Sequence, residues 1–292
     1  MKSKRSFFTL LSLFSLIFLP SLISSQNCQR TCGKQPIRYP FGTGPGCGDR
    51  RFQTYITCNQ QQQLTFTTHT GCYPITSIDY NQQVIYITDP SMSTCSFTQP
   101  SKGFSLDWDA PCRFSDNSIF ALLDCSNLTM DNATVPLCDT EGTPICSLLY
   151  SCQPMSKLNI PISTCCVYTP VDLGPSFEMD LEKLKCNSYS GLYSVNGQES
   201  DPESWKYGVA VKYKFSFNND YLTMCANCER SKGACGYTGP YNSFVCNCLH
   251  GVKTSTDCFD AASWNSGLRF LPWQAGNWLI YSMEWFLVGV LL

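Results

Sequence analysis

The chain has 292 residues, with 20 Lys+Arg, 22 Asp+Glu, 20 Cys and only 2 His. A formal net charge of −2 lacks the basic excess that nonspecific nucleic-acid binding requires, so no nucleic-acid partner is expected. Two histidines leave little room for His-based catalysis or a His-rich metal site, and neither a cofactor nor a metal is expected.

The first 25 residues have the layout of a secretory signal peptide. Lys2, Lys4 and Arg5 precede the uncharged apolar run Ser6–Leu19, and the small residues Ser24 and Ser25 follow, leaving Gln26 as the expected mature terminus. The run is short and broken by Pro20, which argues against a membrane anchor at this end. Secreted cysteines pair, whereas cytosolic ones stay reduced. All the cysteines follow the leader in three even groups, Cys28–Cys95, Cys112–Cys186 and Cys225–Cys258. Disulfides are expected to close within each group, although spacing alone does not assign the partners. With both ends and the cysteines set aside, roughly three in ten of the remaining residues are apolar, below the usual globular share. Such a stretch is not expected to build one large core and should depend on covalent staples. The expected class is mainly β, made of small disulfide-rich modules with little helix.

Residues 26–99 form the first expected module. It opens with CGKQPIRYPFGTGPGCGDRRF from Cys32 to Phe52, a Gly/Pro-shaped loop expected to be clamped by Cys32 and Cys47. Strands are expected at Thr54–Thr57, Leu64–Thr68 and Val84–Thr88, which are rich in β-branched and aromatic residues. The module holds five basic residues (Arg30, Lys34, Arg38, Arg50, Arg51) against three acidic ones (Asp49, Asp79, Asp89). Its cations therefore lie beside Tyr39 and Phe41, a combination that suits a chain of carboxylated sugars. Guanidinium forks match carboxylates at two points, and aromatic faces offer apolar platforms to sugar rings. The competing reading buries Tyr39 and Phe41 beside the disulfides and leaves the cations merely solvated.

A composition shift near Gln99–Gly103 marks the expected start of the second region, 100–267, with eleven basic residues against eighteen acidic. Asp107 and Asp109 flank Trp108, and they are the nearest approach to a glycosidase-like carboxylate pair if they alternate on a strand. The sequons Asn127-Leu-Thr129 and Asn132-Ala-Thr134 mark Asn127 and Asn132 for glycosylation. A short helix is expected at Ser176–Lys185, with Phe177, Leu181 and Leu184 on one face. Val209–Phe217 alternates apolar and polar residues and is expected to be a strand with one buried and one wet face. The last six cysteines, residues 225–258, are spaced like a degenerate EGF-like array. Tyr221–Met224 stands where calcium-binding acidic residues would precede the first cysteine, so no calcium site is expected there.

The end of the chain, 268–292, carries the apolar run Trp278–Leu292, interrupted by Glu284. As a helix this run covers about 22 Å, short of the roughly 30 Å hydrocarbon core. The small residues Asn265-Ser266-Gly267 followed by a spacer fit a GPI-anchor signal, with Asn265 the candidate attachment residue. A freely secreted tail and a spanning helix are the two other readings.

The motif from Cys32 through Tyr39-Pro-Phe-Gly42 to Cys58, followed by the Gly71–Ile87 stretch and Cys95, resembles the galacturonan-binding module of plant wall-associated receptor kinases. Tyr207–Val211, Cys225-x-x-Cys228, Ser231–Tyr237 and Phe244–Cys248 resemble the C-terminal extracellular module of the same receptors. No Gly-rich nucleotide loop and no HRD or DFG text occurs in this sequence. The resemblance implies a non-catalytic, secreted or surface-anchored protein of the plant cell wall that binds pectin or oligogalacturonides. Lys34, Arg38, Arg50 and Arg51 are then the candidate carboxylate contacts, and Tyr39 and Phe41 the candidate platforms. A receptor kinase or another wall protein is a further expected partner. The alternative is a structural or co-receptor ectodomain that binds a protein without binding pectin.

Overall fold

The computed structural model describes residues 28–126, 138, 142–170, 179–214 and 219–259. The expected leader, Asn127, Asn132, Asn265 and the apolar tail lie outside these residues. The fold is mostly β-sheet, with nine disulfides and little helix, as the composition implies.

The opening loop forms a minimal hairpin, β1 (Thr31–Cys32) with β2 (Gln35–Pro36). A six-stranded antiparallel sheet follows, in the spatial order β3 (Ile56–Cys58), β4 (Leu64–Thr68), β5 (Gly71–Asp79), β6 (Val84–Ile87), β12 (Val209–Tyr213) and β7 (Cys112–Phe114). Period-two alternation sends Leu64 and Phe66 of β4 and Val209, Val211 and Tyr213 of β12 into one core. The opposite face of β12 is not the wet one expected, because Ala210 is buried as well. Its carbonyl accepts from the Ser118 hydroxyl at 2.8 Å and from the Ser115 N–H at 2.9 Å.

A second sheet has the order β11 (Lys206–Tyr207), β10 (Cys186–Ser194), β8 (Ile119–Cys125) and β9 (Cys166–Tyr168). Strand β8 reads IFALLDC, a nearly continuous apolar run, because both of its faces are covered. Phe120 and Leu122 join the core shared with the six-stranded sheet. Ala121 and Leu123 face Leu149, Tyr150 and Met155 of the helices α1 (Thr143–Ser151) and α2 (Gln153–Ser156). The layers are therefore sheet, sheet and helices.

The expectation that no large core forms is corrected here. One contiguous cluster runs from Cys32 to Tyr213. Aromatic rings supply its volume, with Phe120 packed against Phe114, Tyr168 and Tyr189 at centroid distances of 5.4, 5.5 and 5.8 Å. Disulfide-bonded Cys125, Cys166 and Cys186 lie in the same cluster, so setting the cysteines aside understates the apolar volume.

The disulfides also depart from the expected grouping. Cys95–Cys152 joins the first cysteine group to the second. The opening loop is closed by Cys28–Cys47 and Cys32–Cys58, so Cys32 and Cys47 hold it through different partners. Cys72 and Cys112 are unpaired, the first exposed and the second buried. Of the helix expected at Ser176–Lys185, residues 176–178 lie outside the described residues, and residues 181–185 form turns. Asp180 holds them by accepting from the Glu182 and Lys183 N–H groups.

The C-terminal unit consists of α3 (Asn219–Arg230) and the sheet of β13 (Ala234–Thr238), β14 (Ser243–Asn247) and β15 (Lys253–Thr254). Its disulfides interlace as Cys225–Cys235, Cys228–Cys246 and Cys248–Cys258. Cys225 and Cys228 stand three residues apart on one helix face, which lets both reach the sheet.

Candidate functional site

The C-terminal unit packs against the opening loop, and a cleft of about 610 Å³ lies between them, within the size range of small-ligand sites. Backbone pairing fixes the contact. Gly48 N–H donates to the Cys235 carbonyl at 2.8 Å, and Tyr237 N–H donates to the Gly46 carbonyl at 3.0 Å. A side chain at Gly236 would place its Cβ 2.0 Å from the Gly46 carbonyl oxygen, so only glycine permits this approach.

Tyr39 ties the two sides at two points, Glu229 and Tyr221, and is braced within its own loop by Asp49. Its N–H donates to Glu229 Oε1 at 2.7 Å, its hydroxyl donates to Asp49 Oδ2 at 3.2 Å, and its ring lies 5.4 Å from that of Tyr221. It is thus a junction residue, where a sugar platform was expected. Phe41 is 2% exposed and packs on Phe52 and Tyr213, so its ring is core and only backs the cleft.

The expected cations do not converge as a group. Lys34 sits in the hairpin turn, exposed and away from the cleft lining. Arg50 and Arg51 begin a 3-10 turn outside the lining. Arg51 forms a two-point pair with Asp49, Nε to Oδ1 at 3.0 Å and Nη2 to Oδ2 at 2.9 Å. Burial alone pushes the Asp49 carboxyl up, but the hydrogen bonds and charge of Arg51 together with the Tyr39 hydroxyl hold it below the usual range. Arg51 is therefore engaged within its own loop.

Arg38 does line the cleft, beside two arginines that sequence reasoning did not place there, Arg30 and Arg230. Ile37 N–H donates to the Arg30 carbonyl at 2.8 Å and closes the base of the β1–β2 hairpin, so Arg30 and Arg38 leave that base together. Arg38 is further placed by Tyr80, whose ring centroid lies 5.8 Å from the guanidinium carbon and whose hydroxyl accepts from Arg38 N–H at 3.0 Å. Arg230 comes from the last turn of α3. None of the three forms a salt bridge within 4.0 Å among the described residues. Glu229 is the acidic residue of the lining. Burial raises its pKa, opposed by the Tyr39 N–H and by the charges of Arg38 and Arg30.

Residues 28–89 match the family model for the wall-associated receptor kinase galacturonan-binding module, and residues 176–251 match that for the wall-associated receptor kinase C-terminal module. Two segments of the chain are thus each similar to a module of wall-associated receptor kinases. Among relatives from Arabidopsis thaliana, wall-associated receptor kinase-like 20 is 25% identical over 181 residues, covering 60% of this chain and 26% of the relative. Wall-associated receptor kinase 2 is 39% identical over 62 residues, covering 20% and 8% respectively. The putative RING-H2 finger protein ATL21C is 27% identical over 177 residues, covering 52% and 44%. The chain thus spans less than half the length of each of these relatives. No solved structure matches. The two walls of the cleft belong to the two matched modules, residues 28–47 to the first and residues 226–235 to the second.

Two other clusters have structural explanations. Asp107 and Asp109 stand at a turn and not on a strand. Asp107 accepts from the His69 N–H at 2.8 Å and lies 2.5 Å from its ring nitrogen, while Asp109 accepts from the Tyr55 hydroxyl at 3.0 Å. The sulfurs of Cys246, Cys248 and Cys258 lie within 4.8 Å of one another, but all three are in disulfides and offer no thiolate to a metal. Among the described residues, no helix is long and apolar enough to cross a membrane.

Proposed function

We propose that this chain is a non-catalytic binder of de-esterified pectin at the outer cell surface or in the cell wall, holding carboxylates of the polymer through Arg30 and Arg38. The observation that carries this reading is the pair of guanidiniums at the base of one disulfide-closed hairpin. Both line a cleft without an ion-pair partner among the described residues, inside the matched galacturonan-binding module. Lys34 and Arg50 are outlying charges that attract a polyanion without shaping the site. The engagement of Asp107 and Asp109 by His69 and Tyr55 supports a binding role over a hydrolytic one.

Each exposed contact contributes only about 0.2–1 kcal/mol. A monomeric galacturonate should therefore bind poorly, and an oligomer engaging several carboxylates should bind through multivalency. The test is calorimetric titration of the secreted protein with de-esterified oligogalacturonides. Arg30→Gln with Arg38→Gln should weaken binding about tenfold, whereas Arg51→Gln should change it little, since Arg51 is engaged with Asp49. Rising salt should weaken the wild-type interaction. Wild-type protein that ignores the oligomer, or binds it equally after the double substitution, would overturn this reading.

A further inference from the structure

We infer that the galacturonan site is built by two modules, with Arg230 of the C-terminal module contacting uronate carboxylates directly and Glu229 acting as the positioning residue that sets the opposing wall. This inference rests on the pectin-binding reading above and adds to it a second wall and a named contact.

Three observations carry it. First, the C-terminal wall carries its own cation: Arg230 lines the same cleft as Arg30 and Arg38 and has no salt-bridge partner among the described residues. Guanidiniums on two facing walls can hold carboxylates approaching from both sides, which a one-walled patch cannot. Second, the walls are rigid before any ligand arrives. Cys28–Cys47 closes one, and Cys225–Cys235 with Cys228–Cys246 closes the other. A preorganised site avoids much of the ordering cost of binding. Third, the neighbouring residue on α3 sets the separation of the walls. Glu229 accepts the Tyr39 N–H at 2.7 Å, bridging 190 positions of sequence.

Glu229 and Arg230 therefore have opposite electrostatic consequences. The charged lining is three arginines and one glutamate. Glu229 offsets part of the positive field of Arg30 and Arg38, whereas Arg230 adds to that field. Glu229→Gln keeps an oxygen for the Tyr39 N–H and removes the negative charge. It should tighten binding of a polyanion about two- to fivefold. Arg230→Gln should weaken it about three- to tenfold. Arg230→Lys keeps the charge without the two-point fork and should fall between Arg230→Gln and the wild type.

The experiment titrates wild type, Arg38→Gln, Arg230→Gln, Arg230→Lys and Glu229→Gln with a de-esterified oligogalacturonide and with its fully methyl-esterified counterpart. Melting curves are recorded in parallel. The expected result is a loss for Arg230→Gln comparable to that for Arg38→Gln, a gain for Glu229→Gln, and no response of the ester to any variant. If Arg38→Gln weakens binding while Arg230→Gln and Glu229→Gln leave it unchanged, the two-module site is overturned and the pectin reading stands. If the wild type itself does not bind, both fail. A variant that misfolds cannot imitate the result, because misfolding does not raise affinity, and an absent gain for folded Glu229→Gln counts against the proposal.

Discussion

The β body and the C-terminal unit are stabilised by different means. In the body, Phe120 touches three other rings in a contiguous aromatic cluster, and disulfides lie within or beside that cluster. In the C-terminal unit, the buried cluster is Cys228, Cys246, Cys248 and Cys258, with Phe244 packed on it, so the core is largely sulfur. One region has enough apolar area to fold around side chains, and the other substitutes covalent links for area. The cleft lies between a loop anchored on the first kind of core and a helix held by the second.

Mild reduction should expose this difference with the largest effect. Each disulfide of the C-terminal unit contributes about 2–4 kcal/mol, and three together match or exceed the net stability of a small domain. Graded reductant followed by alkylation and mass mapping should label both cysteines of each bridge, Cys225 with Cys235, Cys228 with Cys246 and Cys248 with Cys258, while the fluorescence of buried Trp205 stays native. Simultaneous loss of the Trp205 signal would break the comparison.

Gly233→Ala sharpens it at a single atom. The added Cβ would lie 2.4 Å from Cys246 Sγ, 2.7 Å from Cys258 Sγ and 2.8 Å from Cys228 Sγ. Overpacking of this kind costs about 1–3 kcal/mol. Reductant sensitivity should rise in the C-terminal unit alone, and an equal fall in the melting temperature of the body would contradict separate cores.

The smallest expected effect is a pH slope at the junction. Burial raises the pKa of Glu229 in the folded chain. The folded state then binds more protons than the unfolded one between the ordinary glutamate value and the raised one, so stability falls as pH rises through that window. Glu229→Gln should remove this slope from melting curves recorded across mildly acidic pH. A variant with the wild-type slope would assign the titration to another group.

Much of the sheet could be read from the sequence, because alternation records which side of a strand is buried. Leu64–Thr68 and Val84–Ile87 fall where expected. Helix α3 was less visible, since its pattern is dominated by Cys225 and Cys228, whose spacing serves the disulfides as much as the helix. At the site, Arg38 was identifiable from the motif, but Tyr39 and Phe41 were not separable into junction and core. An aromatic residue beside a proline, as both are beside Pro40, looks the same in either role. Arg230 carried no local signal, because it reaches the cleft only through contacts across 190 residues of chain. The large core was underestimated because the half-cystines set aside in the count fill core volume, and because large rings such as Tyr168 and Tyr189 fill more of it than their number implies.

The position of β12 has a consequence for how the protein is made. It lies between β6 and β7 in the sheet, yet it follows β6 by about 120 residues in the chain. At roughly 5–20 residues per second, the ribosome needs several seconds or more to deliver it. Throughout that interval Val84–Ile87 has an unpaired edge, with Ile85 and Ile87 lacking their native cover. Residues 28–89 thus form an unfinished sheet until β12 arrives. A chain truncated at residue 89 would keep that edge permanently and should aggregate.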